Sequence, residues 1–266
     1  MIESLGDVNA PATARALLFV CVLVLLPSAC APQPLSVTRE PTSLHIVGAD
    51  SCATLMRDAA ATYEEDHLWV TVTSQVLNNA LAAEALQEER ADLALLSWDS
   101  LGTEEHGLWM EPVGRDGVAV IVHPASSFSK IGMAQLREIY RGRLQEHQGD
   151  VLTVVSREEG SGTRAALESI VLNGEGTTLN AVVMPSSEAM VDYVAGTPGT
   201  IGYVSTRCLD DRVRTLSVEG VQPTESAVAS GRYPLWRELH VASRGDPTGE
   251  ARQFAQWLIR GGGAAD

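Results

Sequence analysis

Residues 154–164 read Val154-Val155-Ser156-Arg157-Glu158-Glu159-Gly160-Ser161-Gly162-Thr163-Arg164. The apolar start predicts the end of a strand, the glycine-rich stretch predicts a turn, and the apolar period that follows predicts a helix. The first N–H groups of a helix lack helical partners, and the helix dipole presents its positive end there. Such a junction binds oxyanions readily, so the segment is either an anion site or an ordinary capped helix.

Four residues of this junction could hold an anion: Arg157, Ser161, Gly162 and Thr163. Arginine offers a fork of N–H groups to a tetrahedral anion, hydroxyls add donors, and glycine lets the backbone approach closely. The alternative is that Ser161 caps the helix while Arg157 pairs with Glu158 or Glu159. The local chemistry leaves both interpretations open.

Strands and helices alternate on both sides of the junction. Periodicity predicts strands at 44–47, 69–73, 93–96, 117–123, 151–155, 181–184, 201–204 and 234–241. It predicts helices at 54–65, 77–89, 133–140, 163–172, 188–195 and 249–260, the second with Leu77, Leu81 and Leu86 on its apolar side. Because the alternation implies parallel strands covered by helices and occurs in both halves, we expect an α/β fold with two α/β lobes.

The charge of the chain limits its partners. The 266 residues contain 45% hydrophobic and 20% charged residues, which is typical of a globular protein. The formal net charge is −15, and so acidic a surface repels nucleic acid and anionic lipid. We therefore expect no nucleic-acid partner, and a bound anion requires a local site that overcomes the global field.

The N-terminus has the pattern of an export signal. Arg15 precedes eleven apolar residues at 16–26, well short of the roughly 20 that a transmembrane helix needs. Small residues then lead to Cys30, a pattern that resembles a bacterial lipoprotein signal and implies a signal peptide at 1–29 and lipidation of Cys30. The alternative is ordinary cleavage near Ala29 with Cys30 incidental. The segment 30–41 is rich in proline and predicts a tether.

Two further cysteines, Cys52 and Cys208, follow the tether. An exported protein could join them in a disulfide. Their spacing does not require a bond, so we expect two isolated small apolar residues.

No enzyme motif is complete in this sequence. Ser161 lacks a nucleophile elbow, because Glu159 stands where the first glycine should be. Lys130 is the only lysine and lies in no phosphate-binding P-loop, and the six histidines are scattered. We expect no catalytic residue, no cofactor and no metal.

Residues 157–164 resemble the signature loop of the phosphate-binding proteins that serve bacterial phosphate ABC importers, a class II family of periplasmic or extracellular solute-binding proteins. The resemblance extends in order through 113–124, 135–142, 199–205, 218–223 and 231–239, and covers most of 43–259. It implies two α/β lobes joined by crossover strands, with a ligand cleft between them. The first lobe would comprise 42–121 and the returning segment 233–266, and the second lobe 122–232.

The resemblance also implies a set of ligand-binding positions: Ser51, Cys52 through its backbone, Asn79, Ser97, Arg157, Ser161, Gly162 and Thr163. Ser51 could also cap the first helix, which is compatible with a ligand-binding role. Asn79 stands where the family has a serine, and asparagine can donate hydrogen bonds and cap a helix. Ser97 stands where some members have a carboxylate, which accepts a proton from phosphate and rejects fully deprotonated sulfate.

By resemblance, the function is that of a substrate-binding lipoprotein of an ABC importer, which captures inorganic phosphate by closure of two lobes. It would be a monomer, held to the cell membrane by its N-terminal lipid anchor and facing the periplasm or cell exterior, and would deliver its ligand to an ABC permease. One alternative is a receptor for molybdate, tungstate or sulfate. Another is a signalling or scaffolding lipoprotein of the same fold without a transport role.

Overall fold

The computed structural model describes residues 39–97, 107–147 and 150–262. The predicted signal peptide, Cys30 and most of the predicted tether lie outside these residues. Within these three ranges, no helix combines the length and apolar character that crossing a bilayer requires.

Strands and helices alternate through most of the chain. The strands are β1 Thr42–Ala49, β2 Val70–Leu77, β3 Leu93–Leu96, β4 Leu108–Val122, β5 Lys130–Ile131, β6 Glu146–His147, β7 Asp150–Val151, β8 Thr153–Arg157, β9 Val182–Met184, β10 Thr200–Ser205, β11 Arg214–Thr215, β12 Ser217–Val218 and β13 Trp236–Arg244. The helices are α1 Ala53–Asp66, α2 Asn79–Gln87, α3 Met133–Tyr140, α4 Gly162–Leu172, α5 Ser187–Gly196, α6 Glu225–Ala229 and α7 Gly249–Ile259. Short 3-10 helices cover Asp50–Cys52 and Thr206–Cys208.

The main sheet has the strand order β2-β1-β3-β13-β4-β10-β8-β9, and β11 also pairs with β4. The predicted parallel pairing is present in two groups: β1 is parallel to β2 and β3, and β8 is parallel to β10 and β9. Strand β13 is antiparallel to both β3 and β4, and β10 is antiparallel to β4. The result is a mixed α/β sheet, in agreement with the predicted fold class.

The strand β4 connects the two groups of parallel strands. Its residues from Leu108 to Gly117 pair with β13, and its last residues, Val118 to Val122, pair with β10. The apolar pattern had predicted a strand only at 117–123. The 15-residue strand extends further because its N-terminal part is an antiparallel partner of β13, where polar residues are tolerated.

Each group of strands has a hydrophobic core of its own. In the first lobe, β1 packs with α1 and α7 around Ile46, Tyr63 and Phe254. In the second lobe, α3 and α4 pack against the sheet around Ile139 and Leu167. The two cores hold the strand ends and helix starts of both lobes in fixed positions.

The second helix differs from its prediction. Leu77 ends β2, and α2 begins at Asn79 because the Asn78 side chain accepts a hydrogen bond from Leu81 N at 2.9 Å. Leu86 is buried as predicted, whereas Leu81 is 45% exposed. The buried face consists mainly of alanines, which allow the helix to approach the sheet closely.

Candidate functional site

The junction between β8 and α4 has the predicted strand, turn and helix. Ser161 is the N-cap of α4, and its Oγ accepts a hydrogen bond from Arg164 N at 3.4 Å, so the capping interpretation is confirmed. Gly162 and Thr163 are the first two helical residues. Their backbone N–H groups lie in the first turn, where a helix has no internal acceptors, and the positive end of the helix dipole is located here.

Arg157 ends β8 and is only 1% exposed. Its Nε and Nη2 donate to the two carboxylate oxygens of Glu158 at 2.9 and 3.1 Å, which confirms the predicted pairing with Glu158. Nη1 donates to Ser187 Oγ at 3.0 Å and lies 2.9 Å from Asp50 Oδ2. Since a guanidinium has five N–H donors, these four contacts leave one hydrogen on Nη2.

The charge of Arg157 is secured by its neighbours. Burial alone would lower the pKa of Arg157, but the hydrogen bonds and charges of Glu158 and Asp50 outweigh it, and the pKa is raised. The guanidinium is therefore a fixed positive charge. With two carboxylates beside one guanidinium, the local formal charge is negative, so an anion here would depend on N–H and O–H dipoles as well as on Arg157.

Three of the predicted positions carry buried hydroxyls without partners. Ser51, Ser97 and Thr163 are 1%, 0% and 1% exposed, and their side-chain oxygens have no hydrogen-bond partner among the described residues. A buried hydroxyl left in this state costs about 1–3 kcal/mol. Buried hydroxyls are nearly always paired in folded proteins, so these three require an explanation, and a bound ligand would supply one.

The start of α4 contacts residues from the first lobe. A Cβ atom on Gly162 would collide with Ser97 Oγ and would lie 2.9 Å from Asn79 Oδ1. Asn79 Oδ1 accepts a hydrogen bond from Ser97 N at 2.9 Å, and Ala80 N donates to Gly160 O at 3.1 Å. The structure thus brings together Asn79, Ser97 and Gly162, which lie far apart in sequence.

Two capping expectations are wrong. The N-cap of α2 is Asn78, so Asn79 is the first residue of the helix and is turned inward, 2% exposed. The N-cap of α1 is Cys52, and Ser51 Oγ has no hydrogen-bond partner within the ranges described. Ser51 does not cap because its backbone is already part of the 3-10 helix Asp50–Cys52 that precedes α1.

Both remaining cysteines are free thiols. Cys52 is 0% exposed, and burial raises the pKa of its thiol to about 12. The side chain is therefore an uncharged apolar group, and only the backbone of Cys52 is suited to the predicted ligand-binding role. Cys208 is partly exposed, and burial also raises the pKa of its thiol.

Three residues that hold Arg157 were not predicted from the sequence. Asp50 and Ser187 contact its guanidinium, and Tyr203 Oη accepts a hydrogen bond from Arg157 N at 3.1 Å and bonds Ser156 Oγ at 2.9 Å. Burial raises the pKa of Tyr203 to about 12, so the phenol stays neutral. The serine before an apolar helix signals Ser187 as a helix start, but no local pattern relates any of the three to Arg157.

Comparisons with a family model and with known proteins agree on the family of this chain. Residues 36–261 match a family model described as a PBP superfamily domain. The phosphate-binding protein PstS of Bacillus subtilis is 28% identical over 225 residues, covering 81% of this chain and 75% of that protein. PstS 2 of Streptococcus pneumoniae is 36% identical over 98 residues, 34% of either chain.

A solved structure from Clostridium perfringens, of a candidate phosphate ABC transporter substrate-binding protein with bound phosphate, has a TM-score of 0.76 and 25% identity. It covers 81% of this chain and 92% of that chain. An ABC-type phosphate transport receptor from Vibrio cholerae shares the fold, with a TM-score of 0.68 and 24% identity over 82% of this chain and 93% of that chain. The chain therefore belongs to the PBP superfamily and is a homologue of the PstS phosphate-binding proteins.

Proposed function

We propose that this protein captures inorganic phosphate and delivers it to an ABC permease. The observation that carries the proposal is the set of three buried hydroxyls, on Ser51, Ser97 and Thr163, that have no partner among the described residues. Thr163 lies in the first turn of α4, and Ser97 lies beside Gly162 at the start of that helix. An oxyanion would accept hydrogen bonds from all three and from the first N–H groups of the helix. The relatives named as phosphate-binding proteins support phosphate as that oxyanion.

Closure of the lobes would hold the anion. We propose a first lobe of 42–121 with 233–266 and a second lobe of 122–232, each with part of the site. Ser51, the Cys52 backbone, Asn79 and Ser97 belong to the first lobe, and Arg157, Ser161, Gly162 and Thr163 to the second. A ligand held by both lobes stabilises the closed arrangement through contacts that the open arrangement lacks.

A different oxyanion is the second candidate, because Ser97 has a hydroxyl that can donate a hydrogen bond. A carboxylate at that position would repel sulfate. A hydroxyl can donate a hydrogen bond to a deprotonated anion and can accept one from a protonated anion, so it is compatible with both. Sulfate, molybdate or tungstate could therefore replace phosphate without a change of mechanism.

Calorimetric titration tests the proposal. The purified protein is stripped of ligand by unfolding and refolding, and is then titrated with phosphate, sulfate and molybdate. We expect phosphate to bind to the wild type and to bind at least about tenfold more weakly to Thr163→Val and Ser97→Ala, since each lacks one donor. Neither variant should lose stability, because neither hydroxyl has a partner among the residues that the structure describes.

Thr177→Val is a matched control. Thr177 Oγ1 is also buried and has no partner in the described part of the chain, but Thr177 lies after α4, away from its N-terminus. This variant should bind phosphate as the wild type does. If only sulfate or molybdate binds, that anion replaces phosphate as the proposed ligand. If the folded protein binds none of the three anions, a signalling or scaffolding role is favoured.

We further propose that the protein is exported and anchored to the membrane through lipid on Cys30, facing the periplasm or cell exterior. The apolar run at 16–26 and the small residues before Cys30 support this. The Cys30→Ala variant should leave the membrane fraction of the producing cells. If it stays in that fraction, the anchor is not at Cys30.

A further inference from the structure

Asp50 is the residue on which a further inference rests. It follows β1 directly, and its Oδ1 accepts a hydrogen bond from Ser51 N at 2.8 Å. This local bond engages one carboxylate oxygen, and Oδ2 makes contacts of its own. The side chain is 20% exposed, so the carboxylate lies at the border between protein and solvent.

The second oxygen of Asp50 contacts the other lobe. Oδ2 accepts a hydrogen bond from Ser187 N at 2.8 Å and lies 2.9 Å from Arg157 Nη1. Ser187 is the first residue of α5, whose N–H groups lack helical acceptors and whose dipole is positive at this end. The carboxylate therefore meets a full positive charge and a helix N-terminus together, and both contacts are charge-assisted.

The two sides of this contact are anchored in different cores. Ala49 and Cys52, which flank Asp50, are buried in the first lobe, whereas α5 packs in the second through Met190 and Val194. Of the ion pairs between described residues, the pair of Asp50 and Arg157 is the one that joins the parallel strands of the first lobe to those of the second. Ala80 N to Gly160 O, at 3.1 Å, is a neutral contact across the same boundary.

We propose that Asp50 is a latch: a positioning residue that draws the lobes together and holds the Arg157 guanidinium in place. This inference rests on the proposed closure of the lobes and adds a residue outside the predicted ligand set. The guanidinium is planar, so its contacts with Asp50 through Nη1 and with Glu158 through Nη2 fix its orientation. The one N–H of Nη2 that has no contact with a described residue therefore points in a defined direction. Without the carboxylate, the closed arrangement loses two charge-assisted contacts and the open one loses none of them.

Small-angle X-ray scattering of the ligand-stripped protein tests the latch without reference to any anion. We expect Asp50→Ala to have a larger radius of gyration than the wild type. Asp50→Asn keeps an oxygen for Ser51 N but loses the charge, so it should fold normally and shift in the same direction. Asp58→Ala is the control for net charge, because Asp58 is an exposed carboxylate of α1 that pairs with its neighbour Arg57.

Phosphate binding provides the second readout. Asp50→Ala and Asp50→Asn should release phosphate about tenfold faster than the wild type and Asp58→Ala. Equal radii of gyration for the wild type and both Asp50 variants would overturn the latch, and so would tighter phosphate binding, which would show that Asp50 repels the anion. If the wild type binds no phosphate, the proposed function fails while the scattering comparison still decides whether Asp50 joins the lobes.

Discussion

Arg237 Nη2 lies 2.6 Å from Asp116 Oδ2, and neither side chain is exposed to solvent. Asp116 is on β4 and Arg237 is on β13, and the carboxylate also accepts hydrogen bonds from Ser205 Oγ at 2.9 Å and Thr206 Oγ1 at 2.8 Å. One buried carboxylate thus connects β4, β13 and the end of β10. This is the region where the chain passes between the lobes.

Asp116→Ala should lower the free energy of unfolding by about 3–5 kcal/mol, because it leaves the Arg237 charge buried without its partner. Urea denaturation measures the change. Asp246→Ala is the control, since its ion pair with Arg252 is exposed and should contribute at most about 1 kcal/mol. An equal, small effect for both variants would show that the buried pair does not hold the strands together.

Tyr203→Phe should destabilise the protein by about 1–3 kcal/mol at pH 8, because Arg157 N and Ser156 Oγ lose a buried partner. Tyr193→Phe, with a partly exposed side chain on α5, should change stability little. Urea denaturation compares the three proteins. If the two variants behave alike, the hydroxyl of Tyr203 does not support the end of β8.

The same phenol predicts a dependence on alkaline pH. Burial raises the pKa of Tyr203 from 10.0 to about 12, so the folded state keeps a proton that the unfolded state loses. Stability from this group is therefore complete below pH 10 and declines as the pH rises toward 12. Between pH 10 and pH 11 the wild type should lose about 1 kcal/mol more than Tyr203→Phe. Parallel pH profiles would contradict the prediction.

Cys52 should be chemically inert in the folded protein, because burial raises the pKa of its thiol to about 12 and removes it from solvent. Iodoacetamide labelling at pH 8 followed by peptide mapping measures this. The peptide with Cys52 should stay unlabelled until urea is added, and the peptide with the partly exposed Cys208 should react earlier. Rapid labelling of Cys52 without urea would show that the start of α1 opens.

Gly162→Ala should weaken phosphate binding by about tenfold or more, because the added Cβ would collide with Ser97 Oγ. Alanine normally stabilises a helix relative to glycine by roughly 0.5–1 kcal/mol, and here the contact with Ser97 and Asn79 should cancel that gain. Gly196→Ala is the control at the end of α5, where a Cβ would meet no atom within 4 Å. Calorimetric titration and urea denaturation of both variants give the comparison.

Periodicity and turn chemistry were sufficient for the order of the larger elements and for the junction at Ser161. They failed where a contact distant in sequence decides a local outcome. Leu81 occupies an apolar period yet is 45% exposed, because small alanines and not leucines face the sheet. The N-terminal part of β4 has only a short apolar run, Leu108 to Met110, before polar residues, and its pairing with β13 extends the strand through them.

The candidate site shows the same division. Arg157, Gly162 and Thr163 lie in one motif and could be predicted as a group, since a strand, a glycine turn and a helix start are local features. The partners of Arg157 could not be predicted, because Asp50 is 107 residues away and Ser187 is 30 residues away. Which carboxylate pairs with which guanidinium depends on how the two lobes contact each other.

The strand β4 is shared by both lobes, since its 15 continuous residues pair with β13 at one end and with β10 at the other. Neither lobe can melt without removing a hydrogen-bonded neighbour from the other, so the molecule should unfold in one cooperative transition. A polypeptide cut inside β4 would leave each half with an unpaired sheet edge, a known cause of aggregation. Because the two lobes share this strand, we expect them to fold as one unit.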